Sequence, residues 1–416
     1  MRAIVHRIDH DIDAAALADY AMLWLHDGFA LAALGQALTV EVPANDRATA
    51  AARTDEALSS IECDGDVDTY GTGPLAFAAL PFATERAATI VVPEVIYGRD
   101  LGGTRWITWI GDGPAPSRDA LVAKLMMPAG QHEHPRTFTV SSARTEQSWR
   151  TSVAAVRDQL RKGRARKAVM ARELDIACDA PVARWPVVER LRNAYASSFV
   201  FAVPCASQNA TTPWLVGATP ELLVRRIGDI VRSQPMAGTT RRSTDPQSDA
   251  RLAALLLASH KDRNEHQITI DTVHETLLPW CSYLDSETEP SIVSVANVHH
   301  LATFVEGRLS KPLPSVLELV TALHPTPAVC GHPREAARAL IDEHELMDRG
   351  SYAGAVGWVD RAGQGEWAVA LRCAEIAGTR ARLFAGGGIV VDSDPDAELE
   401  ETRVKFETML GAIVRP

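Results

Sequence analysis

A globular chain that combines β-sheet with helices is what this sequence predicts. Its 416 residues, 46% hydrophobic and 23% charged, supply a large core, enough for one large or two ordinary domains. Residues 1 to about 145 hold short apolar runs such as Ala87-Ala-Thr-Ile-Val-Val-Pro93 and Trp106-Ile-Thr-Trp-Ile110, punctuated by Gly and Pro, which read as strands and turns of a sheet. From residue 146 the period changes. Glu146 to Leu160 carries apolar residues at helical spacing, and Lys167-Ala-Val-Met-Ala-Arg-Glu-Leu-Asp-Ile176 reads as a strand.

Charge and cysteine usage exclude several classes. A formal net charge of -11 argues against nucleic acid or an anionic membrane as partner. The one dense basic run, Arg161-Lys-Gly-Arg-Ala-Arg-Lys167, reads as a solvated helix end. Six cysteines, at 63, 178, 205, 281, 330 and 373, form no C-x-x-C pair, which argues against a zinc ribbon, an iron-sulfur site or a disulfide framework and fits a reducing cytosol. The N-terminus has acids and histidines where a signal peptide needs an apolar run, and no later stretch approaches a membrane span. A soluble cytoplasmic protein is expected. His132 and His134 have H-x-H spacing but no third ligand in view, and read as surface loop.

The candidate chemistry lies in the C-terminal half. Phe384-Ala-Gly-Gly-Gly-Ile-Val-Val391, followed by Asp394 to Lys405, reads as an apolar strand, a triple-glycine turn and an acidic helix. Glu398, Glu401 and Lys405 then share one helical face, and the glycines let backbone N–H groups approach an anion. A hard cation and a carboxylated or phosphorylated small molecule could meet there; the plain alternative is an exposed helix with a Glu-Lys pair. Strand alternation puts Lys167 on one side with Val169 and Ala171, away from Met170 and Leu174. Glu221 sits among apolar residues in Trp214 to Val224, and is either a proton donor with a raised pKa or a charge at a helix N-terminus after Pro220. Ser233 to Arg242 reads as a strand entering a Gly-Thr turn. Lys261 to Ile270 begins a helix with Glu265 in its first turns, and Glu265 with Glu401 would offer the two hard oxygens that Mg2+ uses.

The order of these segments resembles the chorismate-binding family, which includes isochorismate, salicylate, anthranilate and aminodeoxychorismate synthases. The resemblance covers residues 150 to 412 and rests on Gly217-Ala-Thr-Pro-Glu-Leu-Leu223, Pro235-Met-Ala-Gly-Thr239, Lys261-Asp-Arg-Asn-Glu-His266, His300-Leu-Ala-Thr303, Leu323-His-Pro-Thr-Pro-Ala328, Tyr352-Ala-Gly-Ala-Val-Gly-Trp358, Leu371-Arg-Cys-Ala-Glu375, and Phe384 to Lys405. It implies an α+β fold of two packed antiparallel sheets surrounded by helices, enclosing a Mg2+-dependent site. Residues 1–145 would then be an N-terminal α/β portion completing the fold, and 146–416 the chorismate-binding catalytic region. By the same resemblance Glu265 and Glu401 are metal ligands with Glu398 beside them. Arg372 and Tyr352 grip the enolpyruvyl carboxylate, Gly386 and Gly388 supply backbone donors, and Lys405 adds positive charge. Gly238, Thr239, His300 and Ala328 complete the substrate pocket, with His300 orienting the ring or simply packing in the core.

Within the family the nucleophile divides the members. Those that add water carry a lysine at the position of Lys167, which deprotonates water at ring C2 while a glutamic acid at the position of Glu221 protonates the departing C4 hydroxyl. Such a base has to be partly neutral, and an ordinary lysine with a pKa of ~10.4 is under roughly 1% neutral at pH 8. Ala237 stands where aminodeoxychorismate synthases carry a nucleophilic lysine, and there is no Leu-Leu-Glu-Ser segment and no attached glutaminase domain. Ala328 favours an isochorismate synthase over a salicylate synthase, which tends to have threonine there; Tyr352 leans the other way. The expectation is therefore an isochorismate synthase, monomeric and without a glutaminase subunit. Salicylate synthase is the alternative, and a noncatalytic binding paralogue is disfavoured because the charged residues are all retained. Menaquinone and siderophore routes both start from isochorismate, and no residue separates them.

Overall fold

The computed structural model describes residues 1–126, 135–205, 212–295 and 297–415. His132 and His134 lie outside them.

Strand residues with both faces buried explain why so much of the chain is apolar without alternation. In the strand Ala21–His26, Met22 and Trp24 point into the space between two sheets, while Leu23 and Leu25 point to the opposite side, under helices. The larger sheet runs in the order Phe138–Ser141, Lys167–Cys178, Arg380–Ile389, Cys373–Ala377, Trp214–Thr219, Phe199–Pro204, Ala21–His26, Phe29–Leu34, Val95–Arg99, Arg105–Gly111, Arg2–Arg7 and Glu62–Gly65. The short strand Gly331–His332 adds to Lys167–Cys178. Pairing is antiparallel except between Arg2–Arg7 and Glu62–Gly65. The second sheet runs Cys281–Ser286, Val305–Leu309, Ile230–Gln234, Leu222–Ile227, Gly365–Val369, Ala355–Asp360, Leu75–Leu80, Ala88–Val92 and Leu38–Val42.

The largest fully buried side chains, among them Trp24, Phe77, Phe201, Trp358 and Trp367, fill the layer between the two sheets. A second apolar layer lies outside the larger sheet, where Leu191, Phe406 and Met409 of two helices cover Val216, Ile376 and Leu383. The fold is α+β with two packed sheets, antiparallel but for that one pair, and helices outside, as the family resemblance implies. Strands from before and after residue 145 share both sheets: Val200 pairs with Leu25, and Ala355 pairs with Leu80. A third, three-stranded sheet, Met236–Arg241, Val298–Ala302 and Ser291–Val295, was not expected, and it carries Gly238, Thr239 and His300 to the site. Among the described residues no helix is long and apolar enough to cross a membrane.

Candidate active site

The triple glycine lies within a strand, where a turn was expected. Gly386, Gly387 and Gly388 belong to Arg380–Ile389 and pair with Ala171, Met170 and Val169. Glycine in a strand marks close approach of another group, and here the groups are the protein's own. A Cβ on Gly388 would stand 2.7 Å from Glu265 Oε1 and 2.7 Å from Lys167 Cε; one on Gly387 would stand 2.8 Å from Glu398 Oε2. The bare backbone therefore lets side chains from two helices and the neighbouring strand converge. Gly386 O accepts from Lys405 Nζ at 2.7 Å. Since the N–H and C=O of a strand residue face the same edge, the Gly386 N–H also points away from the neighbouring strand.

Two capped helices deliver the carboxylates. Asp394 accepts from the N–H groups of Asp396 and Ala397 and Pro395 takes the first helical position, so the helix Pro395–Val414 starts where Glu398, Glu401 and Lys405 share one face. Ser259 caps His260–Leu277, and Glu265 follows in its second turn. Lys405 pairs with Glu401, and Glu398 accepts from Ser393 Oγ at 2.7 Å. Burial, and then the charge of Glu401, push the Glu398 carboxyl up to about 7. Asp262 beside them is raised by burial, and by Glu265 and Glu401 in part. Among the described residues no three His, Cys, Asp or Glu side chains converge tightly enough to hold a metal by themselves. Mg2+ characteristically takes only one or two carboxylates and completes its shell with water and substrate. A crowded, partly buried set of carboxylates that repel one another fits such an ion.

Lys167 opens its strand with its side chain only 2% exposed, and its Nζ lies 2.7 Å from Glu265 Oε1. As the alternation required, Lys167 and Val169 face the cavity while Met170 enters the core. Glu221 is not at a helix N-terminus: it lies in the crossing from Trp214–Thr219 in the larger sheet to Leu222–Ile227 in the second. Burial pushes its carboxyl up to about 8, against the opposing effects of the Met236 N–H and Lys167. It is thus a protonated acid at neutral pH.

Two buried arginines line the cavity and differ in what they have left to offer. Arg349 is engaged by Glu345 at 2.6 Å and by the carbonyls of Val169 and Val329 at 2.7 and 2.8 Å. Arg372, held at a φ of 48°, reaches only His300 Nε2 at 3.4 Å, and its Nη1 has no hydrogen-bond partner among the described residues. An unpartnered buried guanidinium nitrogen is costly without a ligand, so Arg372, unlike Arg349, keeps a donor that an anion in the cavity could use. His300 Nδ1 lies 3.2 Å from Gly238 O and 3.1 Å from Thr239 Oγ1. Burial foremost, then Arg372 and Lys405, hold its imidazole down at about 3. A neutral ring donating from Nδ1 to that carbonyl leaves Nε2 to accept from Arg372. Gly238, at a φ of 72°, forms a bulge directly over Asp262. Tyr352 stacks on Phe384 at 5.0 Å, and burial raises its phenol so that it remains a donor.

All fourteen expected residues, from Lys167 to Lys405 and including Ala328, line one cavity of about 310 Å³. Every lining residue comes from position 167 onward. Arg349 was not foreseen, and neither were Lys261 and Asp262, although the latter two stand in a block the sequence had singled out. Arg349 lies just before Tyr352, and its own signal was no more than a lone charge near a motif.

The profile of the family described as chorismate binding enzyme matches residues 18–414. The chain is 36% identical over 371 residues to isochorismate synthase DhbC of Bacillus subtilis, covering 89% of this chain and 87% of that one. The crystal structure of DhbC from Bacillus anthracis superposes with a TM-score of 0.80 at 30% identity over 97% of each chain. MenF of Escherichia coli, a menaquinone-specific isochorismate synthase, shares the fold with a TM-score of 0.82 at 21% identity, over 99% of this chain and 94% of that one. The chain belongs to the chorismate-binding enzyme family.

Proposed function

We propose that this chain is an isochorismate synthase, which converts chorismate reversibly to isochorismate by adding water at ring C2 with loss of the C4 hydroxyl. The observation that carries this reading is the pair of Lys167 and Glu221 on the walls of one cavity, an amine and a buried acid held protonated by its surroundings. Lys167 takes a proton from the attacking water, and Glu221 gives one to the C4 oxygen as it leaves as water. Arg372 and Tyr352 receive the enolpyruvyl carboxylate, an Arg fork suiting two carboxylate oxygens. Lys405 and the Gly386 and Gly388 backbone lie toward the ring carboxylate, while Thr239 and neutral His300 set the ring's orientation. Glu265 and Glu401, with Glu398 beside them, would hold Mg2+, which when bound would supply positive charge for the ring carboxylate. Ala328 in the cavity wall supports release of isochorismate over elimination of pyruvate. No glutaminase subunit is required for a reaction whose nucleophile is water.

The test is purified protein with chorismate and Mg2+, with products resolved by chromatography, salicylate fluorescence followed in parallel, and an EDTA control. Isochorismate without enzyme-dependent salicylate is expected. Salicylate and pyruvate appearing in step with turnover would make the chain a salicylate synthase, and absence of any product a binding paralogue. Lys167→Ala and Glu221→Ala are each expected to abolish turnover in folded protein; activity retained in both would remove the assigned roles.

A further inference from the structure

Behind Lys167 lies a second pocket, of about 220 Å³, that opens on the protein surface. Lys167, Lys261 and Glu265 line both it and the catalytic cavity. The wall between the two is thus made of side chains, chiefly the Lys167–Glu265 ion pair. No Cβ on Gly388 thickens it. Arg166, Asn264 and Asp392 give the outer pocket polar groups, while Ile268, Val390 and Val391 narrow it. A space of this size with several polar partners suits water, which needs only about 10–15 Å³ and two to four hydrogen-bonding groups.

The catalytic cavity, at about 310 Å³, stands at the lower end of the range for small-molecule sites. A bound cyclohexadiene ring with two carboxylates and a hydroxyl would take up a large part of that space and narrow the way for water beside the ligand to Lys167. Each turnover nonetheless consumes one water on the Lys167 side. We propose that the outer pocket is a water port, through which the oxygen that bonds to C2 reaches Lys167, and in the reverse direction leaves it, while the ring stays bound. This rests on the isochorismate synthase reading. In the forward step the water oxygen bonds to C2 and its proton passes to Lys167, the two conjugated ring double bonds shift toward C4 as the C4–O bond breaks, and the departing hydroxyl takes a proton from Glu221 to leave as water.

The port is tested from the reverse direction in H2(18)O with unlabelled isochorismate, analysing early time points by mass spectrometry. In the native enzyme, water released from C2 exchanges through the port before some complexes return, so recovered isochorismate gains (18)O at C2. Ile268→Trp narrows the pocket from the His260–Leu277 helix, and Val391→Trp narrows it from the exposed segment after Arg380–Ile389, where a larger side chain does not disturb the core. Both are expected to cut that label several-fold relative to chorismate formed, and to lower kcat with the chorismate KM and the Mg2+ requirement unchanged. Unchanged labelling and kcat in both variants, or recovered isochorismate free of label in the native enzyme, overturns the port. Failure of the native enzyme to interconvert the two acids overturns the function reading itself, and the port with it.

Discussion

Replacing Glu221 by Gln keeps the shape of the side chain and removes its proton. With the carboxyl at about 8 in the folded protein, roughly 90% is protonated at pH 7 and roughly 10% at pH 9. The acid form is the active one, so ionisation of Glu221 by itself takes kcat/KM of the native enzyme down about tenfold across that interval, on top of whatever rise deprotonation of Lys167 brings, which Glu221→Gln shares. The Gln variant loses a general acid, typically worth about 10²–10⁴ in rate, and its residual rate should lack that alkaline limb. Stability moves the same way. The folded protein keeps a proton that the unfolded chain releases above about 4.5, so native stability declines as pH rises from 4.5 to about 8, by up to about 5 kcal/mol at ~1.36 kcal/mol per pH unit. Glu221→Gln is spared this, and its unfolding midpoint should gain on the native protein's between pH 5 and pH 8. Steady-state kinetics and denaturant melts at four or five pH values decide it. A Gln variant with more than a tenth of native kcat/KM at pH 7, or a native-to-Gln rate ratio that stays constant from pH 7 to 9, would refute the assignment of Glu221 as acid.

Gly388→Ala puts a methyl 2.7 Å from both Glu265 Oε1 and Lys167 Cε; the displaced pair should cost about 10²-fold in kcat, with a melting shift no larger than about 1–3 kcal/mol of overpacking implies, measured by kinetics and calorimetry. Arg372→Lys retains the charge but not the fork; the chorismate KM should rise about tenfold, equivalent to ~1.4 kcal/mol, with a smaller effect on kcat, and an unchanged KM would remove Arg372 from the substrate. Chelation by EDTA should extinguish product formation and added Mg2+ should restore it; turnover that persists after exhaustive chelation would argue against the carboxylates of Glu265 and Glu401 as a metal site.

Local chemistry is what the sequence made readable. Lys167, Glu221, Glu265, Glu398, Glu401 and Arg372 were singled out by the order of motifs that resembles the chorismate-binding family, their own segments leaving plainer readings open, and the structure gathers all of them on one cavity. Non-local pairing left no such mark. Neither the apolar run around Leu80 nor the Ala355 segment records that the two are neighbours. The triple glycine read as a turn because glycine favours turns; its place inside a strand is dictated by Glu265, Glu398 and Lys167 pressing on the backbone, which only the tertiary structure reveals. Glu221 was open between two readings because Pro220 suits a helix start as well as a chain crossing. Arg349 escaped notice because its partners are mainly carbonyls and one buried glutamate, and a carbonyl carries no side-chain signature.

The sharing of both sheets by early and late strands has a consequence for how the protein is made. Ala21–His26 waits for Phe199–Pro204, and Leu75–Leu80 for Ala355–Asp360, before their inner edges are covered. A chain emerging N-terminus first therefore displays the unpaired edges of two largely apolar strands for most of its synthesis, a condition that favours association between nascent chains. Contacts so distant in sequence also slow closure of the native topology. A fragment cut near residue 145 would inherit the same open edges permanently, so the region that holds the cavity is expected to aggregate when expressed without the strands that precede it.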